Sequence, residues 1–206
     1  MNLIREYATD FQPPQTAMNG GTGLYAGEED MFCFLIGPTG WAEIEGEAFA
    51  PGFFVWNSEV GKRSVGISTF WFQAVCQNHI VWNAVEVVEL TRKHTAGVGS
   101  ILTDIRRSID SLVRRRDERR DGFVTFMTKA MHEKLGDDAE FVLKELAKNG
   151  IPRQFAKDAL AIAEQQGRFT IFSLVDAMTR LAGKLVNAGD RLDMDAKAAQ
   201  LLALAA

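Results

Sequence analysis

The hydrophobic period of this sequence changes near Gly99, and this change limits the possible folds more than any other feature. Before Gly99, short aromatic and β-branched segments are bounded by Gly and Pro, which predicts strands. After it, apolar residues recur at helical spacing. Strands followed by helices, without βαβ alternation, indicate an α+β fold. We expect a mainly antiparallel sheet from the N-terminal half to pack with a set of C-terminal helices.

The chain of 206 residues is long enough to bury one sizeable core. We expect an extended N-terminal arm over residues 1–23, an antiparallel sheet region over 24–97 and a helical region over 98–206. The last two regions are expected to form one compact domain. The arm is predicted because Pro13-Pro14 and the glycine-rich run at 20–23 favour neither period.

Two hairpins and one further strand are predicted in the sheet region. The first hairpin has strands 30–36 and 41–45 around the turn Gly37-Pro38-Thr39-Gly40, the second has strands 53–58 and 64–75 around residues 60–63, and the further strand covers 79–90. A Pro followed by a Gly suits a tight turn, which supports the first hairpin. These segments predict consecutive strands that pair with their neighbours along the chain.

The first predicted helix starts with Ser100 as its cap and carries an apolar stripe. Its apolar positions are Ile101, Ile105, Ile109 and Leu112. Three more helices are predicted, over 141–148, from Pro152 onward and over 171–186. The second of the four starts after a capping-box-like pair, Asp137 and Glu140.

A dense group of arginines follows the stripe, namely Arg106, Arg107, Arg114, Arg115, Arg116, Arg119 and Arg120. At 100° per residue, Arg116, Arg119 and Arg120 extend the stripe, which becomes apolar again at Phe123. Arginines therefore interrupt a surface that should face the core. Either the helix projects beyond the domain body here, or it breaks near Asp121-Gly122 and the arginines face a polyanion or a partner subunit. Both explanations predict accessible guanidinium groups.

The charge is distributed unevenly along the chain. Residues 1–90 have 3 Lys or Arg against 11 Asp or Glu, whereas residues 91–206 have 20 against 16, so their net charges are −8 and +4. A polyanion would therefore meet the second half. Because acidic residues alternate with the arginines, a solvated helix with internal salt bridges is an equally valid interpretation.

Aromatic residues of the sheet region could stack on bases, although most are expected to lie in the core. They are Trp41, Trp56, Phe70, Trp71, Phe72 and Trp82. The polar run Asn57-Ser58-Glu59-Val60-Gly61-Lys62-Arg63 is either a binding loop or a soluble hairpin tip.

Three histidines and two cysteines are too few and too dispersed to predict a metal site, and Cys33 and Cys76 are expected to be reduced. No nucleophile and base can be placed together around Asn57, Ser58, Glu59 and His94. We therefore predict no cofactor and no catalytic residues. No apolar run approaches the roughly 20 residues that span a bilayer, and the first six residues lack a secretory signal. A cytoplasmic protein without membrane association is expected.

Several segments of the chain carry a family resemblance. They are Gly23-Leu24-Tyr25-Ala26-Gly27 with Asp30-Met31-Phe32, residues 52–61 from Gly52 to Gly61, residues 75–82 from Val75 to Trp82, and Arg92-Lys93-His94-Thr95. These segments resemble the phage/plasmid-like protein family, a family of unknown function found on mobile genetic elements. The resemblance implies a mobile-element setting, in which this chain corresponds to the later part of the family domain. It marks Asn57, Ser58, Glu59, Asn78, His79 and His94 as motif candidates and implies no reaction.

Two functions follow as hypotheses. The first is a non-enzymatic accessory protein that binds nucleic acid, such as single-stranded DNA in recombination or replication, through the arginines with Lys62 and Arg63. The second is a protein-protein interaction or self-assembly protein that forms a homo-oligomer without binding nucleic acid.

Overall fold

The computed structural model describes residue 11 and residues 24–26, 30–58, 65–73, 78–80, 90–92, 98–165 and 169–205. Its strands are β1 (Leu24–Ala26), β2 (Asp30–Ile36), β3 (Ala42–Ile44), β4 (Glu47–Ser58), β5 (Val65–Gln73), β6 (Asn78–Ile80) and β7 (Leu90–Arg92). Its helices are α1 (Val98–Arg114), α2 (Arg116–His132), α3 (Ala139–Lys148), α4 (Arg153–Gln165), α5 (Ile171–Ala182) and α6 (Ala188–Leu202), followed by a short 3-10 helix (Ala203–Ala205). The predicted α+β class is confirmed. None of these helices is both long and apolar enough to cross a membrane.

The described strands form one antiparallel sheet with β4 and β5 at its centre. The main strand order is β1-β2-β4-β5-β6. β3 shares one edge of β4 with β2, and β7 shares the outer edge of β5 with β6. β4 therefore has two different partners along the same edge.

The first predicted hairpin is wrong, because β2 and β3, which were expected to pair with each other, each pair with β4. β2 pairs with the C-terminal part of β4, from Asp30 opposite Ser58 to Ile36 opposite Gly52. β3 instead forms a tight hairpin with β4 around Glu45 and Gly46, whose φ angles are 51° and 84°. Two consecutive positive φ angles suit the twist of a two-residue hairpin, and Gly46 adopts one without steric cost. The stretch at 37–40 connects β2 to β3.

The second predicted hairpin is confirmed, because β4 pairs with β5 from Phe49 opposite Gln73 to Trp56 opposite Gly66. β4 begins at Glu47, however, and includes Pro51, a residue that normally excludes a central strand. The Pro51 carbonyl accepts a 2.7 Å hydrogen bond from the Gly37 amide. In a strand the nitrogen and carbonyl of one residue point to the same side. The Pro51 nitrogen therefore faces Gly37, just past the end of β2, and the Gly37 carbonyl accepts a 2.9 Å hydrogen bond from Trp41 Nε1 in place of the bond that Pro51 cannot donate.

The strand predicted at 79–90 is represented by two short strands on one edge of β5. β6 places Ile80 opposite Trp71, and β7 places Leu90 opposite Ile67. Residues 81–89 between them lie outside the described part of the chain. Both ends of the predicted segment thus pair in the antiparallel sense expected.

Helices cover both faces of the sheet. On one face, α6 contributes Leu192 and Ala199 to a cluster with strand aromatics, namely Phe32, Phe34, Phe54, Phe70 and Phe72. On the other face, α1 packs Ile101, Ile105 and Ile109 on Leu35, Phe53 and Ile67. Phe11, from the predicted arm, also lies here, with its ring centroid 4.7 Å from that of Phe53. Phe70, Trp71 and Phe72 are fully buried, as expected for core residues.

The largest core cluster joins the two halves of the chain through α2. The Phe123 ring stacks on Trp71 with centroids 4.0 Å apart and planes 9° apart, and it contacts Phe49 at 5.3 Å. The same cluster includes buried residues from α3, α4, α5 and α6. At the end of α2, His132 Nε2 lies 2.5 Å from Glu45 Oε1 in the β3–β4 turn. The sheet is therefore part of the core on which the helices pack.

Three helix boundaries differ from the predicted ones. α1 begins at Val98, so Ser100 lies inside the helix and is not its cap. α3 is capped by Asp138, whose carboxylate accepts a 2.8 Å hydrogen bond from the Phe141 amide. The break predicted near Asp121-Gly122 is wrong, because both residues lie within α2 and the interruption falls at Arg115. An exposed glycine with helical neighbours is tolerated when the flanking turns are packed.

Two glycine substitutions test these assignments. We expect Gly122→Ala to raise the free energy of unfolding by about 0.5–1 kcal/mol, because alanine favours a helix and its Cβ meets no atom within 4 Å. Gly52→Ala should lower it by about 1–3 kcal/mol, because the new Cβ would lie 2.5 Å from the Leu35 carbonyl oxygen. Urea denaturation measures both. A destabilising Gly122→Ala would contradict a continuous α2.

Candidate functional site

The arginine-rich segment surrounds the point where α1 meets α2. Arg115 separates the helices with φ −100° and ψ 18°. Backbone hydrogen bonds continue on both sides of it, since the Arg115 amide donates to the Ser111 carbonyl at 3.1 Å and the Arg119 amide donates to the Arg115 carbonyl at 3.0 Å. The helical hydrogen bonds therefore continue through the junction.

Arg116 packs on the connection between β2 and β3. Its Cδ lies 2.4 Å from the position that a Cβ would take on Gly40, so only glycine fits beneath it. Gly40 also has a φ of 78°, which glycine adopts readily. The Arg116 Nη1 donates a 2.5 Å hydrogen bond to Thr39 Oγ1. This side chain attaches the start of α2 to the sheet.

Arg119 points into the protein beside Arg116. A cavity of about 10 Å³ is lined by Phe11, Gly37, Pro51, Gly52, Leu112, Arg116 and Arg119. The Nε and Nη2 atoms of Arg119 are inaccessible to solvent and have no hydrogen-bond partner in the part of the chain that the structure describes. Burial, together with the nearby charge of Arg115, lowers the pKa of the Arg119 guanidinium to about 10. At neutral pH Arg119 is still a cation.

The sheet explains why arginines interrupt the stripe at this place. Opposite the start of α2, β2 ends at Ile36 and β3 starts at Ala42, and the gap between them is lined by Gly37, Pro51 and Gly52. The gap leaves room for the long side chains of Arg116 and Arg119. Further along α2 the stripe becomes apolar again at Phe123, whose ring stacks on Trp71 in the sheet. The expectation that these guanidinium groups are accessible is wrong for Arg119, and Arg116 is half-buried.

The other arginines face outward and mostly contact carboxylates one helical turn away. Arg107 lies 3.8 Å from Asp104, and Arg120 contacts Asp117 and Asp121 at 3.1 Å each. Arg115 forms two bonds to Glu118, of 2.9 and 3.0 Å, which lower the pKa of the Glu118 carboxyl and raise that of Arg115. Arg114 is exposed and Arg106 is half-buried. This agrees with the predicted salt-bridged helix for the outer face.

The remaining motif candidates do not assemble into one site. Asn57 is half-buried and Ser58 is buried at the end of β4, near the start of β5. Asn78 and His79 pair with Gln73 and Phe72 at the opposite end of β5, roughly 20 Å away at 3.3 Å per strand residue. Glu59, Lys62, Arg63 and His94 lie outside the described residues.

The described residues hold no group of three or more His, Cys, Asp or Glu side chains that could bind a metal ion. Cys33 is a half-buried free thiol in β2, and burial raises its pKa. A raised pKa keeps a thiol protonated and unreactive near neutral pH.

Sequence analysis missed the residues that form the wall opposite the arginines, which are Gly37, Gly40, Pro51 and Gly52. Each appears in the sequence as a turn former or strand breaker. They come together only because β2 pairs with β4 and places Ile36 opposite Gly52. The glycines and the proline are visible in the sequence, but the strand pairing that brings them together joins residues that are far apart in the chain.

Comparisons of the chain with protein-family models, curated proteins and solved structures give no match. Membership of the phage/plasmid-like protein family therefore stays a prediction based on the motifs quoted above. The roles assigned to residues of the α1–α2 junction are based on their geometry and charge.

Arg116 and Arg114 provide a matched pair that separates an anchoring arginine from an exposed one. We expect Arg116→Ala to lower the free energy of unfolding by about 1–2 kcal/mol, because the hydrogen bond to Thr39 and the packing of its stem are lost. Arg114→Ala should change it by less than about 0.5 kcal/mol. Urea titration followed by circular dichroism measures the difference. Equal effects would contradict the anchoring role.

Proposed function

We propose that this chain is a non-enzymatic accessory protein of a phage or plasmid that binds nucleic acid through the outer face of the α1–α2 pair. We call this surface the outer arginine face and define it by Arg107, Arg114, Arg115 and Arg120. Arg107 is 78% exposed and Arg114 is exposed. Arg115 and Arg120 are about one third exposed, at 35% and 34%. The face thus offers several guanidinium groups within two short helices.

The observation that carries this proposal is the weakness of the pairs that hold these arginines. Exposed pairs one turn apart on a helix contribute only a few tenths of a kcal/mol, about 0.3–0.5. Phosphate groups accept two hydrogen bonds from one guanidinium and release counterions on binding. Residues 98–132 carry 8 Lys or Arg against 5 Asp or Glu, which leaves a net charge of +3. Phosphates can therefore replace the carboxylates at modest cost.

The mode of binding follows from what the outer arginine face lacks. Phe70, Trp71 and Phe72 are buried between the sheet and its helices, so they do not stack on bases. Contacts to phosphates carry little sequence information. We therefore expect binding with little sequence preference, to single strands and to duplexes. We propose that Lys62 and Arg63 also contribute to nucleic-acid binding.

The proposal predicts a salt-dependent affinity that depends on specific arginines. Four phosphate contacts give a slope of log K against log salt of about −3 on single-stranded DNA. We expect Arg107→Glu/Arg114→Glu to weaken binding at least about tenfold and to reduce this slope by about 1 to 1.5. Fluorescence anisotropy with labelled single-stranded and duplex DNA at several salt concentrations measures both quantities.

The matched control is Arg153→Glu/Lys157→Glu, which changes the net charge equally at exposed positions of α4. It should leave the affinity and the slope close to those of the parent protein. Equal losses in the two variants would mean that net charge alone matters. The parent protein's failure to bind either DNA at low salt would disprove the proposal.

A second candidate function, self-assembly, is favoured by an apolar patch at the β1 edge of the sheet. Leu24 is 50% exposed and Met31 is 46% exposed. The register places Leu24 opposite Cys33, and Cys33 is two residues from Met31, so all three share one face of the sheet. Exposed apolar groups beside a short edge strand are typical of an interface with another chain.

Self-assembly predicts that this patch controls the mass in solution. We expect Leu24→Glu/Met31→Glu to shift the protein from an oligomer to a monomer, because buried glutamates would face each other or an apolar surface. Light scattering after size-exclusion chromatography gives the mass. Val186→Glu/Leu204→Glu, at exposed apolar positions near α6, should keep the parent mass. A parent protein that is monomeric at all concentrations would rule out this function.

A further inference from the structure

Arg119 is the cation in the described structure whose surroundings are least suited to a charge. Arg119 as a whole is half-buried, but two of its guanidinium nitrogens, Nε and Nη2, are inaccessible to solvent and have no hydrogen-bond partner among the described residues. The acidic residues before it in α2 are engaged elsewhere, since Glu118 contacts Arg115 and Asp117 contacts Arg120. An unpaired charge inside a protein destabilises the folded state. Binding an ion of opposite charge offsets this loss of stability.

The cavity beside Arg119 has the properties of an anion site. Its lining combines two arginines with apolar side chains, glycines and a proline, and it includes no carboxylate. Its volume of about 10 Å³ is close to the space that one water-sized particle needs. Arg119 and Arg116 both contribute positive charge to it. A single small anion suits this space better than a phosphate or a carboxylate, each of which has several heavy atoms.

We propose that the cavity between Arg116 and Arg119 binds one monatomic anion of chloride size, which accepts hydrogen bonds from the Arg119 guanidinium. The anion would neutralise the buried charge and join the start of α2 to the gap between β2 and β3. This site is separate from the outer arginine face, because Arg119 points to the sheet and Arg107 and Arg114 point to solvent. Nucleic-acid binding could fail while chloride binding is retained, and the reverse also holds.

Thermal unfolding in sodium chloride and sodium gluconate at equal ionic strength tests the proposal. Gluconate is too large to enter the cavity, so only chloride should stabilise the folded state by specific binding. For a chloride concentration ten times the Kd, we expect a Tm higher by roughly 3–6 °C in chloride for a chain of this size. The line width of the chloride NMR signal should increase when the parent protein is added.

Arg119→Met removes the charge and should abolish both the Tm difference and the line broadening. Arg114→Met removes one charge at the exposed surface and should keep both, which controls for net charge and for general salt effects. Arg119→Lys retains the charge but not the planar fork, so it should fold and show a smaller chloride response. If Arg119→Met does not fold, the Arg119→Lys variant still tests whether chloride binds at Arg119.

The proposal fails if the parent protein shows the same Tm in both salts and no line broadening. This result is also expected if the cavity holds only water. It fails equally if Arg119→Met or a folded Arg119→Lys responds to chloride as strongly as the parent does. A response that disappears with Arg119→Met, decreases with Arg119→Lys and remains in Arg114→Met supports the site.

Discussion

The gap between β2 and β3 on one edge of β4 is the constraint on which the rest of this structure depends. Pro51 lies beside it in a central strand, where Trp41 supplies to the Gly37 carbonyl the hydrogen bond that a proline cannot, and Gly37 and Gly52 line it. It also provides the only space in the described sheet into which the Arg116 and Arg119 side chains extend. The position of the α1–α2 junction follows, because those side chains can enter only if α2 starts above the gap.

Five of the seven arginines consequently belong to two groups with different contacts. Arg116 and Arg119 contact the sheet, and Arg107, Arg115 and Arg120 contact carboxylates at the surface. Arginine side chains therefore pack against the sheet at two positions and form ion pairs at the surface at three others. In the inner pair, Arg116 bonds Thr39, and two nitrogens of Arg119 have no partner among the described residues. The outer arginines are bonded to carboxylates that solvent also reaches.

The change from strands to helices was predictable because periodicity is local, although β1 and α6 were not predicted as separate elements. The β4–β5 hairpin was also predictable, since its strands are neighbours in sequence. The pairing of β2 with β4 was not, because the tight turn at Glu45 and Gly46 lies between them and changes the partner. The sequence located the anomaly at Arg116 and Arg119, but the conclusion about their exposure was reversed. Only the long-range register shows that a gap in the sheet lies opposite them.

The stacking of Phe123 on Trp71 has a consequence for the way the chain folds. Phe123 comes from the helical half and Trp71 from the sheet, so neither half completes its core before they meet. The contact joins residues that are distant in sequence, and such contacts slow the folding of a chain. A fragment containing only the helices would expose the apolar face of α2 to water. The two halves are therefore expected to gain and lose their structure together, as one cooperative unit.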